Sequence, residues 1–118
     1  MGNQALGARG ENEAVRFLAT RGFVILDRNW RASFGELDIV AKEGTSLVFV
    51  EVKARSSLKF GHPFEAVTAA KIATIRKLAR AWCAAHPLTT GSLRIDVVSV
   101  LFDAPNSARV EHLRGVFA

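Results

Sequence analysis

The run Leu47-Val48-Phe49-Val50-Glu51-Val52-Lys53 limits the possible folds more than any other stretch of the chain. On a strand with period-two alternation, Leu47, Phe49, Glu51 and Lys53 share one face, and Val48, Val50 and Val52 line the other. A strand that is apolar on both sides is central and covered by further layers. Two charged residues on such a strand need partners, because an unpaired buried charge costs several kcal/mol or forces a large pKa shift.

Gly35-Glu36-Leu37-Asp38-Ile39-Val40-Ala41 reads as a second strand, joined to the first through the turn-like Lys42-Glu43-Gly44-Thr45-Ser46. Folding this hairpin brings Asp38 towards Glu51. Two carboxylates and the Lys53 ammonium on adjoining positions can hold a divalent cation through oxygen ligands and still offer a proton-transfer or charge-stabilising group. The competing reading is a structural ion-pair cluster that closes a sheet.

The remaining elements follow from periodicity. Gly7 to Arg21 fits a helix ended by Gly22, and Phe23-Val24-Ile25-Leu26 starts a strand that runs through Asp27 and Arg28 towards Trp30. A loop from Ser56 to Pro63 leads to a long helix whose buried stripe is Ile72, Ile75, Leu78, Ala79 and Trp82, stopped by Pro87. Leu93 to Phe102 and Ala108 to Leu113 are the last strands. With no linker or repeat, residues 1–118 form one domain in the order α-β-β-β-α-β-β, an α/β fold with a mixed central sheet.

Sixteen Lys and Arg against eleven Asp and Glu give a net charge of +5, which favours polyanionic partners over acidic proteins. Cys83 is the only cysteine, which excludes an intramolecular disulfide and a thiolate zinc cluster. No signal peptide or membrane-spanning run is visible, so the expected place is the cytoplasm, with no membrane partner.

Gly7-Ala8-Arg9-Gly10-Glu11, Gly35-Glu36-Leu37-Asp38, Val48-Phe49-Val50-Glu51-Val52-Lys53-Ala54-Arg55, Gly61-His62-Pro63, Glu65-Ala66-Val67, Lys71 and Arg94-Ile95-Asp96-Val97-Val98 together resemble the YraN-like family of small bacterial proteins. That family in turn resembles the PD-D/E-x-K nucleases and, among them, the archaeal Holliday junction resolvases. The resemblance implies a restriction-endonuclease-like, three-layer α/β/α fold. It also implies a nuclease acting on structured or branched DNA, with DNA favoured over RNA and a homodimer as the assembled state. It assigns Glu11, Asp38, Glu51 and Lys53 as catalytic residues. Mg²⁺ or Mn²⁺ would be held by Asp38, Glu51 and the backbone carbonyl of Val52. Leu37 stands where the named motif has proline, which only shapes the approach to the Asp.

Arg55, Lys59, Lys71, Arg76, Lys77 and Arg80 are the candidate nucleic-acid contacts; a solvated helix face accounts about equally well for Arg76, Lys77 and Arg80, and Lys71, at the edge of the long helix's apolar stripe, either reaches a phosphate or snorkels. Asp96 with Arg94 reads as an internal salt bridge. His62, His86 and His112 lack metal-ligand spacing and read as ordinary loop or helix-end histidines. Two classes of function stand: a Mg²⁺-dependent endonuclease, or a non-catalytic nucleic-acid-binding or partner-binding module that keeps the nuclease fold.

Overall fold

The computed structural model describes residues 2–59 and 61–116. Helix α1 (Asn3–Thr20) is followed by strands β1 (Val24–Ala32), β2 (Gly35–Glu43) and β3 (Ser46–Arg55). A short 3-10 turn (Pro63–Ala66) precedes helix α2 (Ala69–Ala85), and strands β4 (Ser92–Ala104) and β5 (Ser107–Leu113) complete the order. The five strands form one sheet in sequential order. All neighbours are antiparallel except β3 and β4, which run parallel and are joined through α2. The expected α/β class, mixed sheet and element order are all present.

The central strand behaves as its composition requires. Leu47 and Phe49 join Ile72, Ile75, Leu78 and Trp82 of α2 in one apolar cluster, while Val48 and Val50 join Ala14 and Leu18 of α1 in another. Alternation along β3 places these clusters on opposite faces of the sheet. Trp82 donates through Nε1 to Asp27 Oδ2 at 2.9 Å and lies stacked on His86, which satisfies its polar edge inside the core.

Helix α1 begins four residues earlier than its sequence pattern suggests, because Gly7 and Gly10 interrupt that pattern without interrupting the helix. Gly10 has a packing reason to be there. A Cβ at this position would lie 2.5 Å from Ala54 Cβ, so its absence lets α1 settle directly on β3. Gly10→Ala should therefore cost about 1–3 kcal/mol by overpacking, despite the better helix propensity of alanine. Urea denaturation measures this, and Ala54→Gly in the same chain should recover part of the loss.

The expected loop ends at Pro63, and the 3-10 turn that starts there separates it from α2; His62 caps this turn, its ring accepting from Phe64 N. Thr68 then caps α2 by accepting from Lys71 N at 3.2 Å, fixing the first turn of that helix over the end of β3.

Candidate functional site

The β2–β3 ladder stops at the pair Ile39 and Val50. Beyond it the side chain of Asp38 takes over the role of a strand neighbour, its Oδ2 accepting from Val52 N at 2.8 Å. Leu37 lies in the α2-side cluster and Ile39 in the α1-side cluster, although residues two apart on a regular strand share a face. Strand β2 therefore makes a half-step at Asp38, which turns this carboxylate into the gap between the strands. The N–H and C=O of one strand residue leave by the same edge. The Val52 carbonyl thus faces that gap, where no ladder partner follows.

Glu51 stands beside Asp38 and is 6% exposed. Its Oε2 lies 3.1 Å from Lys71 Nζ and 3.6 Å from Lys53 Nζ. Burial first, and then the neighbouring Glu51 carboxylate and the hydrogen bond between the two, push Asp38 up to about 8; the Val52 N–H opposes the shift and Glu11 adds to it from further away. Two carboxylates so close in a partly desolvated place do not both ionise readily without a cation.

Glu11 is 8% exposed and looks at this site across a cleft of about 370 Å³. Its carboxylate accepts from Arg28 Nε and Asn29 Nδ2, both at 3.0 Å. Asn29 sits at φ 54, a left-handed conformation that asparagine tolerates, and this aims its amide at the helix. Neither β1 partner was foreseen from the sequence, because both depend on the pairing of α1 with a strand 16 to 18 residues away.

The structure thus brings Asp38, Glu51 and Lys53 together, sets Glu11 across the cleft with partners of its own, and pairs the half-exposed Lys71 with Glu51. Among the described residues no group of three or more His, Cys, Asp and Glu side chains gathers to hold a metal ion. Two carboxylates, a backbone carbonyl and water suit Mg²⁺, which keeps several waters and takes one or two protein carboxylates. Such a set does not suit zinc.

Of the other candidate basic residues, Arg55 donates to the Ala54 carbonyl and Lys59 is exposed. Lys77 lies over the Phe34 ring, while Arg76 and Arg80 rim, with Arg94, a separate cavity of about 290 Å³ along α2. Asp96 is no ligand: it is bound by Arg94, as its spacing suggests. His112 departs from expectation. It lies within β5, pairs at 2.7 Å with Asp96 and packs its ring against Phe17 and Phe23.

Comparison with known proteins bears out the family resemblance. Residues 10–100 match the family described as "Uncharacterised protein family UPF0102". A UPF0102 protein of Arthrobacter sp. (strain FB24) is 57% identical over 111 residues, covering 94% of each chain. One from Beutenbergia cavernae is 56% identical over 112 residues, 95% of each chain. Another from Frankia alni is 53% identical over 113 residues, 96% of this chain and 94% of its own. No helix among the described residues is long and apolar enough to cross a membrane.

Proposed function

This chain belongs to the UPF0102 family, and from its site we propose that it is a metal-dependent nuclease of restriction-endonuclease-like architecture, hydrolysing phosphodiester bonds in structured or branched DNA. One observation carries this reading: the hairpin ladder is broken at Asp38 so that two carboxylates and a strand-edge carbonyl converge on one gap. A purely structural ion pair needs no interrupted ladder.

Asp38, Glu51 and the Val52 carbonyl would hold Mg²⁺ or Mn²⁺. Bound there, the ion supplies Lewis-acid stabilisation of charge on the phosphate oxygens and lowers the pKa of a water. The chain's own residues do the rest. Lys53, on the face of Glu51, places an ammonium where negative charge develops on the phosphate. Lys71 and Lys53 together pair with the Glu51 carboxylate and orient it. Glu11, fixed by Arg28 and Asn29, closes the cleft opposite Asp38 and adds a further negative charge that favours a cation there.

The test is a panel of labelled flapped, branched and plain DNA, with matching RNA, incubated with Mg²⁺ or Mn²⁺ beside Lys53→Ala. Cleavage of branched DNA that falls by at least about a hundredfold in the variant supports the reading; cleavage that survives removes this site from the chemistry. The ion pairs that already satisfy Glu51 and Glu11 favour the second reading, a non-catalytic binding module. The two separate by melting. A working cation site stabilises the fold by mass action, about 2.7 kcal/mol at a hundred times Kd. An unchanged Tm with Mn²⁺ up to millimolar concentrations leaves only the binding module.

A further inference from the structure

We propose that the substrate strand is carried by a groove wrapping the N-terminal turns of α1, and that this groove admits one strand at a time and not a duplex. The inference rests on the nuclease reading for the identity of its occupant, and on the structure for its path.

Three concavities of about 370, 470 and 390 Å³ adjoin one another around this helix. The first and second share Gly7 and Val52, and the second and third share Leu6 and Ser56. They form one continuous depression. It enters between α1 and β1 at Arg31, passes Asp38 and Val52, crosses Lys53 and Arg55, and leaves between Arg9 and the Pro105-Asn106 turn. Crossing four strands at ~4.8 Å spacing makes it ~15 Å long.

Its chemistry is that of a single-strand track. Cationic groups stand at both ends and in the middle, as Arg31, Arg55 and Arg9, at intervals that follow a backbone. Between them Gln4, Asn12, Ser56 and Asn106 offer amides and a hydroxyl that can bond phosphate or base edges without demanding a sequence. The carboxylates of Glu11, Glu36 and Asp38 line the first concavity, Glu36 pairing with Arg31 at 3.3 Å, and Asp103 lines the last. The Arg9 guanidinium lies 4.4 Å over the Phe102 ring, a cation and aromatic face stacked at the exit, where a base can stack. Gly7 and Ala8 leave the helix wall without bulk where the depression passes the carboxylates.

Each concavity belongs to the size class of a small-ligand site, ~300–1,000 Å³, which matches a single nucleotide better than a base-paired pair of strands. A branched or flapped DNA presents such an unpaired strand; an intact duplex does not.

The experiment is fluorescence anisotropy in EDTA, which prevents cleavage, with a labelled ten-nucleotide single strand and the blunt duplex of the same sequence. The single strand should bind about tenfold more tightly than the duplex. The double variant Arg9→Ala/Arg31→Ala should weaken single-strand binding about tenfold or more, whereas Arg76→Ala/Arg80→Ala on α2 stays within about twofold. Both groove arginines are exposed, so melting temperatures should match the wild type, and the Arg9→Lys/Arg31→Lys form should retain most of the affinity. Equal duplex binding, a larger loss in the α2 pair, or no strand binding by the wild type overturns the groove. Groove-dependent binding without cleavage under any metal removes the nuclease reading and leaves the groove. Cleavage with binding that depends on α2 does the reverse.

Discussion

Asp96→Asn should lower stability by about 3–5 kcal/mol, the cost of breaking a buried ion pair from one side, and lower Tm on the order of 15 °C. Asp96 is 0% exposed. Its carboxylate takes two hydrogen bonds from Arg94, one from the Gly115 N–H at 2.9 Å, and contacts His112 Nε2 at 2.7 Å. Burial alone would raise this carboxyl, but His112, Arg94 and the Gly115 N–H together hold it at about 2. The substitution leaves the shape intact and removes the charge, so Arg94 loses its buried anion and keeps the partly buried Glu43, and His112 loses a carboxylate partner. It also loosens the end of the chain, because the Gly115 N–H donates to Asp96 beside the bond from the Val116 N–H to the Ile95 carbonyl.

The same group sets a pH window. Its folded pKa is depressed below the unfolded value, so the stabilisation is complete above pH ~4 and is lost as pH falls towards ~2, at roughly 1.4 kcal/mol per unit. Denaturation of the wild type across pH 2 to 5 should show this loss, and the variant should lack this component. Equal stability of both proteins at pH 7 would mean that the network is not a structural anchor.

How far such features can be read from the chain depends on their range. The run Leu47 to Lys53 within β3 announced its central place by being apolar on both faces, and Ile72, Ile75, Leu78, Ala79 and Trp82 announced the buried stripe of α2. These are local periodicities, and the structure follows them. Alternation also put Glu51 and Lys53 on one face, as they are. It could not show where the β2–β3 ladder ends, and by strict alternation Leu37 and Ile39 should share a face. The half-step at Asp38 is a property of the pairing, not of either strand. His112 with Asp96, Arg28 with Glu11 and Lys71 with Glu51 are likewise invisible in the pattern, because each joins elements whose neighbourhood only the tertiary fold decides. Lys71 is the instructive case. Its place at the edge of the α2 stripe was legible, but the Thr68 cap and the parallel crossover from β3 to β4 are what bring its half-exposed side chain to the Glu51 carboxylate.

Asp38→Asn should abolish metal-dependent cleavage and, at the same time, make the metal-free protein more stable at alkaline pH. The two effects have one cause. Asp38 is held at about 8 by burial and by Glu51 beside it, so a folded chain at pH 6 carries the proton that an unfolded chain has already released. A group whose folded pKa lies above the unfolded one stabilises fully below the unfolded value, near 4, and loses that contribution as pH rises to the folded value. The wild type without metal should therefore weaken from pH ~4 to ~8, at up to roughly 1.4 kcal/mol per unit for one proton, and level off beyond. Asparagine has no proton to lose. Its amide keeps an oxygen to accept from Val52 N and offers a donor to Glu51, so the variant should hold its stability across this range. Guanidinium titrations of both proteins in EDTA at pH 5, 7 and 9 measure the divergence. A divergence with lost cleavage and lost stabilisation by Mn²⁺ marks Asp38 as a strained carboxylate kept for a cation. Parallel stability curves would mean that Asp38 ionises as easily in the fold as out of it, and that the broken ladder serves the sheet alone.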